Sequence, residues 1–307
     1  HASVVGIEVR ATEGARSADT LGRQREGTGV VIGPEPLVLT IGYLTLEAES
    51  IQVVTRDGRV VPARTVAYDL ATGFALLQPL VPLRDIPPAP LGSLQALTPG
   101  AILMTATGAH TDGEASQVGM TRLVGKRSFS GYWEYHIESA AFTSPPLNIG
   151  SGNHTGAGLF NPRGELVGIG SLFVMDAAGG GARLPGNMFV PVDLLVPVLA
   201  EMRSDGASRA SRRPWIGLNS NEQNGRVQVV RVNPDSPAER AGLRPGDVVL
   251  AVDGQPVTTL AEFYGQLWKR PAPDSEITLT VLQGVQTQTL KLQGVDRMRT
   301  LARPTGI

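Results

Sequence analysis

Chemistry in this chain would have to start from a hydroxyl. Thr155 stands in "GNHTGAGLF", residues 152–160, a glycine-rich loop that runs straight into an apolar stretch, the setting in which a tight turn aims a nucleophile. A hydroxyl attacks efficiently only when a neutral imidazole takes its proton and a carboxylate holds that imidazole, so three groups must converge. The supply is thin. Four histidines occur in the chain, and His1 has no assignable role because it reads as the remnant of a trimmed or processed start. His154 adjoins Thr155 but would have to fold back across the loop to act as base. Ser151 sits between glycines and reads as a turn residue. Cysteine is absent, which removes thiol nucleophiles, disulfides and cysteine metal sites and is compatible with an oxidising compartment. His110, His136 and His154 show no ligand spacing, and His136 in "WEYHIE" reads as a structural histidine on a strand, so neither a metal nor a cofactor is expected.

The elements that would position these groups are mostly short strands. At 307 residues the chain is long enough for two domains, and a hydrophobic content of 41% supports a real core. With 27 basic against 28 acidic residues there is no charge excess to attract nucleic acid or an anionic membrane. No apolar run of about 20 residues occurs, and no signal peptide is visible at the start. The runs "SVVGIEV", "GTGVVIG", "LVLTIGYL", "SIQVVT", "AILMTAT", "WEYHIE", "ELVGIGSLFVM" and "NMFVPV" are each bounded by turn formers, a pattern of sandwiches or barrels. "VDLLVPVLAEM", 192–202, is expected to be a helix, and the small, polar and basic stretch over 203–213 a linker.

The part that follows carries the more specific signature. "VNPDSPAERAGLRPGDVVLAVDGQPV", 232–257, closely resembles the centre of a PDZ domain, with Ser236-Pro237-Ala238, Ala241-Gly242-Leu243, Pro245-Gly246-Asp247 and Asp253-Gly254 matching independently. "SPAERAGL" predicts a short helix closed by Gly242, and Asp253-Gly254 a tight hairpin turn. The resemblance implies that an extended peptide adds to a sheet edge beside a helix, its carboxylate held by a loop. Carried over, Trp215, Ile216, Gly217 and Leu218 form that loop and edge. Phe263 and Leu267 of "TLAEFYGQLWKR" line the groove or belong to the core, since both share one helical face with Leu260 and Tyr264.

With such a domain behind it, the β-rich part resembles the protease domain of the HtrA/DegP family of trypsin-like serine proteases. "GTGVVIGPEPLVLT" is similar to the block leading to the base histidine, "YDLATGFALLQP" to the block with the aspartate, and "GNMFVPVDLLVPVLAEM" to the closing strand and helix. On this frame Tyr43 stands at the base position, Gly73 at the aspartate and Thr155 at the serine. A phenol with a pKa of about 10 is a poor base and glycine orients nothing. The family's oxyanion hole uses two backbone N–H groups, one of them from the position of Asn153 here, a residue that tolerates positive φ. Asp69, four residues before Gly73, could replace the carboxylate, but capping the turn "YDLATG" is its commoner role. "FTSPPLNIGSG", 142–152, is longer than the family's usual approach to its nucleophile.

The resulting expectation is a mainly β chain: a trypsin-like double six-stranded β-barrel over 1–202 lacking the triad, a linker over 203–213, a small α/β PDZ domain over 214–296 and a tail over 297–307. Its function would be that of an exported, periplasmic pseudoprotease that binds extended or C-terminal segments of other proteins, or active relatives, as chaperone, adaptor or regulator. Weak hydrolysis by Thr155 and a metal-binding assembly scaffold are the alternatives. The family's active members trimerise through aromatic residues near the N-terminus. Residues 1–42 contain no Phe, Trp or Tyr, so a monomer or another assembly is expected.

Overall fold

A computed structural model describes residues 2–147, 154–270 and 272–302. The chain divides into two compact units: one holds His1–Arg127, Ser139–Ser208 and Leu301–Ile307, the other Ser128–Glu138 and Arg209–Thr300.

The first unit is built on two closed six-stranded barrels, two of whose strands continue into residues 128–138 of the second unit. One closes in the order Val4–Ala11, Gln24–Ile32, Leu37–Ile41, Phe74–Pro79, Val60–Tyr68, Ala48–Val54. The other closes as Gly158–Phe160, Leu166–Val174, Gly186–Pro191, Tyr135–Ser144, Val118–Gly131, Ile102–Ala106. Barrel closure leaves no free edges, so short strands with Gly and Asp turns suffice. Phe74, Ala75, Leu76 and Leu77 are consecutive and all buried, as in a strand covered on both faces. Leu103, Leu123, Leu159, Val167 and Phe189 fill the second barrel.

Three local expectations are corrected. "VDLLVPVLAEM" is not one helix: Val192–Leu194 is a 3₁₀ turn and the α-helix is Leu199–Asp205, because Pro197 has no N–H to continue a hydrogen-bonded turn. The expected linker begins inside that helix, which Gly206 ends in a left-handed conformation, and Ser208 is buried against Asp69 rather than solvated. "WEYHIE" starts its strand only at Tyr135, since Trp133 and Glu134 belong to a turn with φ 58° at Glu134. The C-terminal stretch carries a helical turn, Arg297–Thr300, and Ala302 N–H donates to Glu47 Oε1 at 2.8 Å.

The second unit is a six-stranded sheet whose main path runs Leu218–Gln223, Arg226–Val232, Val248–Val252, Glu276–Gln283, Gln286–Gln293, with Gln255–Pro256 paired to Val248–Val252. Leu218–Gln223 is therefore an edge strand of this sheet. Pro237–Arg240 is capped by Ser236, and Asp253-Gly254 turns with both residues at positive φ, as the sequence predicts. The helix Leu260–Leu267 starts at a capping box in which Thr259 and Glu262 exchange hydrogen bonds. Its Leu260, Phe263, Tyr264 and Leu267 join Ile216, Leu218, Val229, Val249 and Ile277 in one apolar core.

Candidate functional site

The barrel ends bring Tyr43 and Thr155 together. Tyr43 lies in the 3₁₀ turn Gly42–Thr45, which buried Arg25 holds by donating to the carbonyls of Leu44 and Leu46 at 3.4 and 2.7 Å. Its hydroxyl donates to the Ser171 carbonyl at 2.5 Å, with Thr155 Oγ1 3.5 Å away. The pairing has a structural cause: Ser171 falls at a register irregularity between Gly170 and Leu172, where the ladder to the next strand skips a residue. Burial pushes the Tyr43 phenol up to about 12 despite these neighbours. At neutral pH only about one in 10⁵ molecules would carry a phenolate able to take a proton.

Gly73, which the family frame sets at the aspartate, has φ 85°, its N–H donating to the Asp69 carbonyl and its own carbonyl accepting from Gly42, both at 2.7 Å. Being glycine, it offers no side chain to Tyr43. Asp69 is fully buried and taken on both oxygens: Oδ2 accepts from the N–H and hydroxyl of Thr72 at 2.9 and 2.7 Å, and Oδ1 from the N–H and hydroxyl of Ser208 at 2.9 and 2.6 Å. It caps its turn and ties down Ser208.

Residues 154–158 are fixed from beneath. Gly156 N–H donates to Gly170 O at 2.7 Å, and Thr28 N–H to Thr155 O at 2.8 Å. Gly156 has φ 79°, and a Cβ there would lie 2.0 Å from Thr28 O, so only glycine fits. His154 is half-buried, and burial holds its imidazole below the ordinary value. Asn153 and Ser151 lie outside the described residues. A cleft of about 320 Å³ opens beside Tyr43 and Thr155, walled by Gln24, Arg25, Glu26 and Leu44.

The histidines do not converge. His136 is held by Ser130 Oγ at 2.8 Å and Glu138 Oε1 at 3.2 Å, whereas His110 is buried with Nδ1 4.0 Å from Glu8 Oε1. Among the described residues no three His, Asp or Glu side chains come together as metal ligands.

In the second unit, residues 215–218 lead into the edge strand, with Trp215 bridged to Val295 and Gly217 at φ 86°. The N–H groups of Ile216, Gly217 and Leu218 converge, and a carboxylate stands at their focus: Glu134 accepts from them at 3.2, 2.7 and 2.9 Å. Phe263 and Leu267 are fully buried in the core, and the helix side chain that reaches the hairpin is Tyr264, whose hydroxyl donates to Gly131 O at 2.7 Å.

Comparison with known proteins agrees with both halves. Residues 27–169 match the trypsin-like peptidase domain and residues 214–293 the PDZ domain. The chain thus carries a trypsin-like peptidase domain followed by a PDZ domain, and its relatives are HtrA/DegP-type proteases. The serine endoprotease DegS of Haemophilus influenzae is 26% identical over 84% of this chain and 73% of its own length. The "Probable periplasmic serine endoprotease DegP-like" of Marinomonas sp. (strain MWYL1) is 28% identical over 88% of this chain and 57% of its own length. Among solved structures, the HtrA-type protease AlgWS227A with tripeptide superposes with a TM-score of 0.58 at 23% identity, covering 99% of this chain and 95% of its own. The serine endoprotease from Yersinia pestis gives 0.53 at 23%, covering 95% and 93%.

Glu134 is not among the residues expected at this site, and Tyr264 is expected only as a member of the apolar helical face. Glu134 had no local signal, because its partners lie more than 80 positions away. Tyr264 was visible on the helical face beside Phe263, and its hydroxyl was the available clue: a buried phenol needs a partner.

Proposed function

We propose that this HtrA-like chain is an exported pseudoprotease that binds peptide segments of other proteins through its PDZ domain and retains the peptidase barrels as a scaffold. The observation that carries the reading is the Tyr43 hydroxyl. On the family frame it stands at the base position; it donates a hydrogen bond to the Ser171 carbonyl and is buried so that ionisation is suppressed. Gly73 offers no carboxylate, and Asp69 is already committed to Thr72 and Ser208. Thr155 is then an ordinary hydroxyl in a cleft. Acyl transfer loses its general base and its orienting group together, and triad members act as a unit rather than additively. Export is supported by the relatives named periplasmic. Peptide binding is supported by the PDZ match and by the similar protein AlgW, which was solved with a decapeptide and a tripeptide.

The cleft beside Thr155 favours one second reading, slow hydrolysis by that residue. Incubation with unfolded casein and with a fluorophosphonate probe separates the two. The pseudoprotease reading expects neither cleavage nor labelling above a heat-treated control. Cleavage that Thr155→Ala abolishes would overturn it.

A further inference from the structure

The hairpin tip Gly131, Tyr132, Trp133, Glu134 makes the contacts of a ligand rather than those of ordinary packing. Its carboxylate end sits in a nest of three consecutive backbone N–H groups, residues 216–218, with Glu134 only 5% exposed. Two residues earlier its main chain joins the sheet: Ser220 N–H, on the edge strand, donates to Tyr132 O at 2.9 Å. Tyr264, from the helix, donates to Gly131 O at 2.7 Å and accepts from Glu134 N–H at 3.2 Å. The tip is not held by burying Tyr132, which is 54% exposed, and the partly buried Trp133 packs on Phe129 and Tyr135 of the hairpin itself. What anchors the tip is backbone on an edge strand and a carboxylate in a loop, the two devices of strand addition and carboxylate capture.

We propose that the tip of the Ser128–Glu138 hairpin is an internal ligand of the PDZ groove, with the Glu134 side-chain carboxylate standing where the terminal carboxylate of a bound peptide would stand. The assignment rests on the peptide-binding reading above and deepens it. A peptide with a free C-terminal carboxylate and the chain's own hairpin compete for the same N–H groups and the same strand edge, so the groove opens only when the tip leaves. Apparent affinity for an external peptide is then the intrinsic affinity reduced by the fraction of molecules with the tip released. The spacing also defines a competitor. Keeping Tyr132 two residues before the carboxylate, and moving that carboxylate from a side chain to a chain end, gives the peptide GKRSFSGYWV, residues 125–133 followed by valine.

The full chain and its Glu134→Ala and Tyr264→Phe variants are compared in two measurements: anisotropy of the fluorescein-labelled peptide, as free acid and as C-terminal amide, and amide hydrogen exchange at residues 216–220. Tyr264→Phe keeps the ring in the core and guards against a folding defect in Glu134→Ala. Both variants should exchange faster at residues 216–220 and bind the free acid on the order of tenfold more tightly than the parent, with the amide bound weakly by all. If parent and variants bind the free acid equally well and exchange at the same rate, the internal-ligand assignment falls while the peptide-binding reading stands. If the variants exchange faster yet neither they nor the parent binds the free acid, the peptide-binding reading falls and takes the competition with it.

Discussion

Replacing Tyr43 by phenylalanine tests whether this residue is a strut or a remnant base. The substitution keeps the buried ring and removes only the oxygen that donates to Ser171 O at 2.5 Å. Ser171 is 2% exposed and sits where the strand ladder skips a residue, so no water replaces the lost donor. Leaving a buried carbonyl without its donor costs about 1–3 kcal/mol. At roughly 2–4 °C per kcal/mol for a unit of this size, a mid-range loss lowers the melting temperature of the barrels by about 4–8 °C. The assay must read the barrels separately, because Trp133, Trp215 and Trp268 all belong to the second unit. Intrinsic tryptophan fluorescence therefore follows the PDZ side, and calorimetry with far-ultraviolet dichroism follows the barrels. The expected result is a lowered barrel transition with an unchanged tryptophan-reported one, and no change in hydrolysis of unfolded substrate. A melt within about 1 °C of the parent would refute the strut argument, as the size scaling would then leave less than about half a kcal/mol for the bond. A fall in measurable hydrolysis of about a hundredfold or more would instead identify Tyr43 as a working base.

Gly156→Ala is expected to destabilise the barrels by more than about 3 kcal/mol, because the added Cβ meets Thr28 O at 2.0 Å in a backbone conformation that side chains rarely adopt; equilibrium denaturation in urea measures it. The docked hairpin should also depend on pH. Burial raises the Glu134 carboxyl from 4.5 to about 7 against the pull of the three N–H groups and of Arg297, with Arg213 close to its backbone and Tyr264 beside it. The docked state thus holds the proton more tightly than the released one, so docking is fully supported below about 4.5 and weakens as pH rises through about 7. Affinity for the free-acid peptide should increase at least about tenfold between pH 5 and 8, a window in which the peptide's own carboxylate does not titrate, and Glu134→Ala should flatten the slope.

Much of the fold was legible because its signals are local. The strand runs, the short helix after Ser236 and the Asp253-Gly254 turn each declare themselves within a few residues, and the double barrel was implied by the family resemblance. The family frame puts Tyr43 and Thr155 at two triad positions and the structure sets their hydroxyls 3.5 Å apart, whereas the Ser171 carbonyl that engages the phenol has no sequence signal, since a ladder irregularity leaves no mark in composition. The stretch over 203–213 misled for a physical reason: Gly206 and Ser208 are small and polar as linker residues are, but here they end a helix and satisfy a buried carboxylate. Glu134 looked like one more charge on a strand. Only the turn at positive φ and the distant loop reveal that it is turned inward.

The hairpin that carries Glu134 is spliced into the second barrel through both of its strands, Val118–Gly131 and Tyr135–Ser144. A ligand tethered at both ends does not dilute. Its effective concentration is of the order of millimolar, as for short linkers, so a free peptide of micromolar intrinsic affinity competes against a resident that never diffuses away. Dilute, isolated chain ends would be filtered out. Ligands present at high local density, or those that make a second contact outside the groove, would be the ones admitted.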